Sequence, residues 1–224
     1  MMLTMMSRHV AQVGGLLILG AVLGCGGTAP GPAAPAASTA PAASAPAAPS
    51  APAAATPAAV ASTRVPFTAL PDGTAPRPFS AEQIRDAMPV GHRIRVRQEQ
   101  DRAPTIEEEW VVTAADAQGC TIATKVFDVE GNLIRDGGTE TGAWSKLREH
   151  AAFPAAATEI STGTIELPMG TFETRVYRVT MPAGDGAPAV LTLHFAVSLP
   201  GPPVLMVAER AGVQVSRMTM IERR

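Results

Sequence analysis

The chain has 224 residues, of which 21 are proline and 20 glycine, with 2 cysteines, 4% aromatics and a formal net charge of −2. That length is sufficient for one domain or two small ones. Two cysteines exclude a disulfide-rich scaffold and a four-cysteine zinc site. The near-neutral charge gives no overall electrostatic attraction to nucleic acid.

Residues 1–24 read as a targeting segment. Arg8 supplies a positive start, and Val10 to Leu23 then runs without a charge. An uncharged run this short falls below the roughly 20 residues a membrane-spanning helix needs. A short apolar core with a basic start and small residues at its end is the pattern of a secretory signal.

The segment ends on Val22-Leu23-Gly24-Cys25. This resembles the lipobox of bacterial lipoprotein signal peptides: an aliphatic residue, a variable one, Gly or Ala, then Cys. The resemblance implies that Cys25 becomes the mature N-terminus and carries a diacylglyceryl group and an N-acyl chain. Two or more acyl chains anchor a protein stably, where one alone holds marginally. The implied location is the cell envelope. Gly26 carries no inner-membrane retention signal of the well-known kind, which favours the outer membrane.

Residues 26–62 are low in complexity, with eight prolines, 18 alanines, no charge and no aromatic side chain. Such a stretch buries too little apolar surface to offset its chain entropy. Proline every few residues blocks the helix that alanine favours. With Cys25, the expectation for 25–62 is a disordered, polyproline-leaning tether. Its reach is about 115 Å if fully extended and roughly 35 Å as a coil.

Residues 63–224 form the globular part. They hold all 20 acidic residues and 17 of the 18 basic ones, so this part carries about −3. The apolar excess of the whole chain belongs largely to the signal segment and the tether.

Ser80-Ala81-Glu82-Gln83 is a capping-box pattern that predicts a short helix through Ile84 and Met88, stopped by Pro89 and Gly91. His92 to Gln100 then alternates, with Arg93, Arg95 and Arg97 on one face and Ile94 and Val96 on the other. Thr105 to Thr113 places Ile106, Trp110 and Val112 opposite Glu107 and Glu109. A hairpin centred near Arg102 sets Arg97 against Glu107 and Arg95 against Glu109, a charged ladder facing water. Cys120 to Val129 predicts a third strand. A turn at Gly131-Asn132 leads to a short fourth near Leu133-Ile134, broken by Asp136-Gly137-Gly138. Trp144, Leu147 and Ala151 predict a helix over 141–152, ended by Phe153-Pro154.

The last third returns to strands. Thr162–Leu167 and Thr171–Met181 flank Pro168-Met169-Gly170 as a hairpin. Ala189 to Leu199 points Leu191, Leu193, Phe195, Val197 and Leu199 inward and Thr192, His194 and Ser198 outward. Val204–Glu209 and Val213–Ile221 pair across Arg210-Ala211-Gly212. Short links favour antiparallel pairing, and one-sided alternation favours a sheet with one solvated face. The expectation is an α+β domain: one large curved antiparallel β-sheet of about 8–9 strands with two short helices on one face. That arrangement, behind a lipobox, is similar to envelope lipoproteins of the lipoprotein-carrier and lipoprotein-receptor type. The similarity implies acyl-chain binding in an apolar concavity.

Recognised catalytic and metal motifs are absent from the sequence, so no catalytic, cofactor or metal residue is assigned. His92, His150 and His194 are far apart. Cys120 reads as a small buried hydrophobe, the alternative being a nucleophile paired with a distant histidine. Glu107 and Glu109 read as members of the ladder rather than a metal cluster. Glu108 points the other way, to a sheet edge or a core-side arginine. Asp128 to Asn132 reads as a hairpin turn rather than a calcium loop.

The functional expectation is a membrane-anchored, non-enzymatic envelope lipoprotein with a β-rich binding or structural domain. Its partners are the membrane, through the anchor, and an envelope protein or apolar ligand, with no nucleic acid. One alternative is a lipid or lipoprotein carrier with an apolar pocket. Another is an enzyme using Cys120 with a histidine.

Overall fold

A computed structural model describes residues 63–182 and 187–224. The signal segment, Cys25 and the Ala/Pro tether lie outside the described residues.

Ten strands form one antiparallel sheet in the order β1-β6-β7-β8-β9-β10-β2-β3-β4-β5. In chain order they are β1 (Thr63–Arg64), β2 (Arg93–Gln100), β3 (Ile106–Ala115), β4 (Gly119–Phe127), β5 (Leu133–Ala143), β6 (Thr158–Leu167), β7 (Gly170–Met181), β8 (Ala189–Ala196), β9 (Leu205–Arg210) and β10 (Val213–Arg223). Two helices accompany them, α1 (Ala81–Ala87) and α2 (Trp144–Glu149). Nearly every connection is short, as hairpin-linked neighbours require. β6 approaches β10 although three strands separate them in the sheet, so the sheet is curled.

The count exceeds the expected eight or nine because β1 is too short to leave a sequence signature. The capping box forms as read: the Ser80 hydroxyl accepts from Gln83 N–H, and the Gln83 side chain accepts from Ser80 N–H. Arg95 pairs with Glu109 and Arg97 with Glu107, the expected register, and Arg102 takes a left-handed φ of 62° in the connecting turn.

Two expectations fail around β5. The strand does not stop at Asp136-Gly137-Gly138 but runs on to Ala143. Its pairing with β4 skips Gly137 and Ile134, each an extra residue on the β5 side. Bulges of this kind let a strand absorb a sequence that reads as a break. Gly138 carries a φ of 78° at the first of them. The helix expected over 141–152 is consequently only Trp144–Glu149, because its first turn is claimed by strand pairing. β8 also ends earlier than expected, leaving Val197 exposed at 47% instead of inward.

The inner face of the sheet is apolar. Ile94 and Val96 of β2, Val112 of β3, Cys120 of β4, Tyr177 and Val179 of β7, and Leu193 and Phe195 of β8 all lie in the core. Ile84 of α1, Met88 at its C-cap and Trp144 of α2 pack into the same core. The indole N–H of Trp144 donates to Asp116 O at 2.9 Å, fastening α2 to the β3–β4 turn.

Two seven- and six-residue helices cannot cover ten strands. The remainder is covered by irregular chain, residues 74–79. Ala75 N donates to Phe153 O, Tyr177 Oη donates to Pro76 O at 2.8 Å, and Arg175 Nη1 donates to Pro78 O at 2.6 Å. Phe79 then meets Phe195 edge-on at 6.2 Å. Tyr177 meets Phe195 at 5.4 Å and Phe153 at 6.0 Å. The two edge-to-face contacts, Phe79–Phe195 and Tyr177–Phe195, add roughly 0.5–1.5 kcal/mol each beyond burial.

Because the cap is formed on both sides, Ser80→Ala is expected to cost about 1 kcal/mol. A urea melt would register this as a lower midpoint with an unchanged slope.

Candidate functional site

The most elaborate cluster of charges is the outer-face lattice on β10, β2, β3 and β4. The register places Arg97 opposite Glu107 and Arg95 opposite Glu109; Arg97 pairs straight across, while Arg95 and Arg93 reach diagonally. Arg95 Nε lies 2.8 Å from Glu107 Oε2, out of line for a hydrogen bond, and Arg97 Nη2 donates to Glu107 Oε1 at 2.8 Å. Arg93 Nη1 donates to Glu109 Oε2 at 2.9 Å. The Arg95 guanidinium also stacks over the Phe127 ring, 4.9 Å from its centroid. Arg217 extends the lattice, 3.8 Å from Glu99 and donating to Thr219.

This corrects the expectation of a water-facing ladder. Glu107 is only 6% exposed and Glu109 9%. The alternation of Glu and Arg was legible. The lateral neighbours were not, and the β4 residue Phe127, paired directly with Glu107, lies across the lattice. A buried carboxylate between two guanidiniums is stable only while both remain paired. The lattice therefore spends its cations on its own carboxylates.

At the loop end of the lattice lies a shallow, open depression of about 560 Å³, lined by Arg97, Glu99, Pro104, Thr105, Asp128, Val129 and Glu130. Asp128 is turned inward to its own loop, accepting from Asn132 N–H at 2.7 Å and from the Asn132 amide at 2.8 Å. The Asn132 bonds hold its carboxyl below the usual range. The hairpin reading of 128–132 stands. Among the described residues no three His, Cys, Asp or Glu are placed to hold a metal ion.

Glu108 occupies the inner face, paired with Val96 on one side and Val126 on the other. Its carboxylate accepts from the Trp110 indole at 3.2 Å, and burial pushes its pKa up against that bond and the charge of Arg135. Glu108 thus sits within the sheet rather than at its edge, and Arg135 of β5 is an exposed neighbouring charge rather than an ion-pair partner.

The histidines do not converge. His150 is exposed where α2 ends. His92 is half-buried, and its Nε2 is enclosed without a hydrogen-bond partner. Burial and then the charge of Arg223 depress its pKa. His194 was expected on the outward face, at the surface or hydrogen-bonded to a side chain. It lies on that face half-buried, 3.5 Å from the Thr174 hydroxyl, and burial followed by the charge of Arg217 depresses its pKa. Cys120 is buried and pairs with Gly142 across β4–β5, and burial pushes its thiol pKa up, away from the thiolate. Among the described residues Cys120 has no hydrogen bond to a histidine.

Arg223 escaped the sequence reading. Its guanidinium donates to Leu199 O, Pro200 O and Ala87 O at 3.1, 2.8 and 3.3 Å, tying β10 to the β8–β9 loop and to the end of α1. Burial pushes its pKa down to about 10. An arginine near the end of an alternating strand carries no local sign of this role.

The remaining accessible feature is the edge strand β5, exposed along nearly its whole length and unpaired on one side among the described residues. Leu133 and Ile134 are among the few large apolar side chains left in solvent. A second depression, about 240 Å³ beside Gln100 and Gln214, is polar. Neither depression is lined by a residue of the apolar core.

No known protein family matches the chain, and no curated protein or solved structure matches it. The likeness to lipoprotein carriers therefore rests on sequence features alone.

Two outcomes follow from this geometry. Glu107→Gln removes the charge shared by Arg95 and Arg97 and is expected to cost about 3 kcal/mol. Arg93→Gln, on the more exposed pair, is expected to cost under about 1 kcal/mol. Paired denaturant melts would separate them. Burial holds the pKa values of folded His92 and His194 below the ordinary histidine 6.5, so below that pH the unfolded chain binds more protons. Their contribution is present at neutral pH and is lost as pH falls through 6.5 toward the folded values. Wild type is expected to lose stability between neutral pH and pH ~5 faster than the double variant His92→Gln/His194→Gln. Parallel pH profiles would contradict this.

Proposed function

We propose that this protein is a lipid-anchored lipoprotein of the bacterial envelope whose β-rich domain presents a surface to partners and performs no catalysis. The single observation that carries the binding-domain reading is the filled inner face. Phe79, Phe153, Tyr177 and Phe195 occupy the space an acyl chain would need, and the strap of residues 74–79 is hydrogen-bonded across it. A domain with its apolar face filled works through its exterior, where the β5 edge and the rim of the charged lattice are accessible.

The same packing weighs against the carrier alternative. The enzyme alternative lacks support from Cys120, whose environment disfavours the thiolate. The anchor is supported by Val22-Leu23-Gly24-Cys25 and by the charge-free, proline-studded stretch that follows. Such a stretch acts as a spacer between a membrane surface and a domain. The outer membrane is the favoured location, on the absence of a retention signal at Gly26.

The anchor is tested by expressing the full chain in a bacterial host that processes lipoproteins. The mature product is expected to begin at Cys25, to carry the mass of the acyl groups and to sediment with membranes. Cys25→Ser is expected to lose both the added mass and the membrane fraction. An unmodified mass in the parent chain would refute the anchor.

A further inference from the structure

The β5 edge is protected over only half of its length. Its two bulges, at Ile134 and Gly137, lie in the first half and twist that part away from any added strand. From Gly138 to Ala143 the pairing with β4 is regular, Gly138 opposite Thr124 through Ala143 opposite Gly119. This second half carries no proline and no lysine, and no other described strand pairs with it.

The outward hydrogen-bonding groups follow from the ladder. Trp144 N donates to Gln118 O at 3.1 Å, in line with the same register. Antiparallel pairs alternate between hydrogen-bonded and non-bonded. Gly142 and Glu140 are therefore bonded to β4, while Thr139, Thr141 and Ala143 direct their N–H and C=O groups outward.

We infer that this segment pairs antiparallel with the same segment of a second copy of the chain, Thr141 opposite Thr141. Several registers match outward groups to outward groups across a two-fold axis within the segment, and the two nearest its centre place the axis on Glu140 or on Thr141. The first sets Thr139 against Thr141 and brings Glu140 directly against its own symmetry mate, a like-charge pair that destabilises a sheet. The second sets Thr141 against itself, Thr139 against Ala143 and Glu140 against Gly142. The second alone engages all three outward residues, Thr139, Thr141 and Ala143, and it opposes no like charges. Apart from Glu140 its side chains are small, and nothing lies within 4 Å of a Cβ added at Gly142, so the sheet face where Glu140 of the second copy would lie is open. A foreign peptide would be read by pockets flanking the edge. Neither depression described above is lined by a residue of β5, which leaves the two-fold match as the source of selectivity. The inference does not depend on the lipid anchor.

Directly opposed residues in a hydrogen-bonded pair sit ~5.5 Å apart between Cα atoms, within reach of a disulfide. The test uses the full chain carrying Cys25→Ser, so that buried Cys120 is the only native thiol. Thr141→Cys is expected to form a covalent dimer under mild oxidation, at roughly tenfold the yield of Thr139→Cys, whose symmetry mate is out of disulfide range in this register. Mixing Thr139→Cys with Ala143→Cys chains is expected to restore cross-linking between them. Equal yields from Thr141→Cys and Thr139→Cys, or no dimer from either, would overturn the inference. Thr141→Pro in the parent chain is expected to shift its sedimentation toward the monomer while far-ultraviolet circular dichroism stays unchanged. An unchanged sedimentation profile would also overturn the inference. Loss of the cross-linking pattern leaves the lipidation of Cys25 standing, and the reverse holds equally.

Discussion

The structure depends on covering a wide sheet with little helix. Ten strands present one apolar face, and α1 and α2 together supply thirteen residues. An uncovered apolar face of that width would be an aggregation or binding surface. The chain covers it by drawing residues 74–79 across β7 and β8 and pinning them through Tyr177 and Arg175. The rings of Phe79, Phe153, Tyr177 and Phe195 then fill the space beneath. The burial that raises the Tyr177 phenol to about 12 keeps it protonated, and so able to donate to Pro76 O across the physiological range.

The same economy shapes the outer face. With no helix there, the sheet protects itself by interlocking charges. Glu107 holds Arg95 and Arg97, Glu109 holds Arg93, and Phe127 covers Arg95. Charge pairs this well enclosed contribute uniqueness of register more than net stability, because desolvation cancels much of their attraction. Their register is fixed twice, by the Arg102 turn and by the paired side chains.

Local order was legible in the sequence wherever the determinant was local. The Ser80 box names its own helix. The alternation of Arg93, Arg95 and Arg97 against Glu107 and Glu109 specifies both the hairpin and its register, because slipping by one residue leaves a single arginine opposite a carboxylate, that of Glu108, where the native register opposes two. What stayed hidden was set by neighbours distant in the chain. β5 runs through Asp136-Gly137-Gly138 because β4 pairs on both sides of the bulge. The prolines of residues 74–79 carry no local sign of their role, which depends on Tyr177, about a hundred residues away. Nothing near Arg223 announces that it ties three segments together. Of the candidate site residues, Cys120 was legible as packing and His194 as an outward-facing histidine, while its half-burial was not, because its strand's outer face is itself partly covered. Cys25 falls outside the described residues.

The central claim is that the inner face is filled by its own chain and that the domain works through its exterior. The most direct measurement titrates a fluorescent fatty acid into the Cys25→Ser chain at neutral pH, with Tyr177→Ala, which opens the ring cluster, as the comparison. The account predicts no saturable uptake by the parent and measurable uptake by the variant if it remains folded. Stoichiometric, saturable binding to the parent would contradict the account and return the carrier reading to first place.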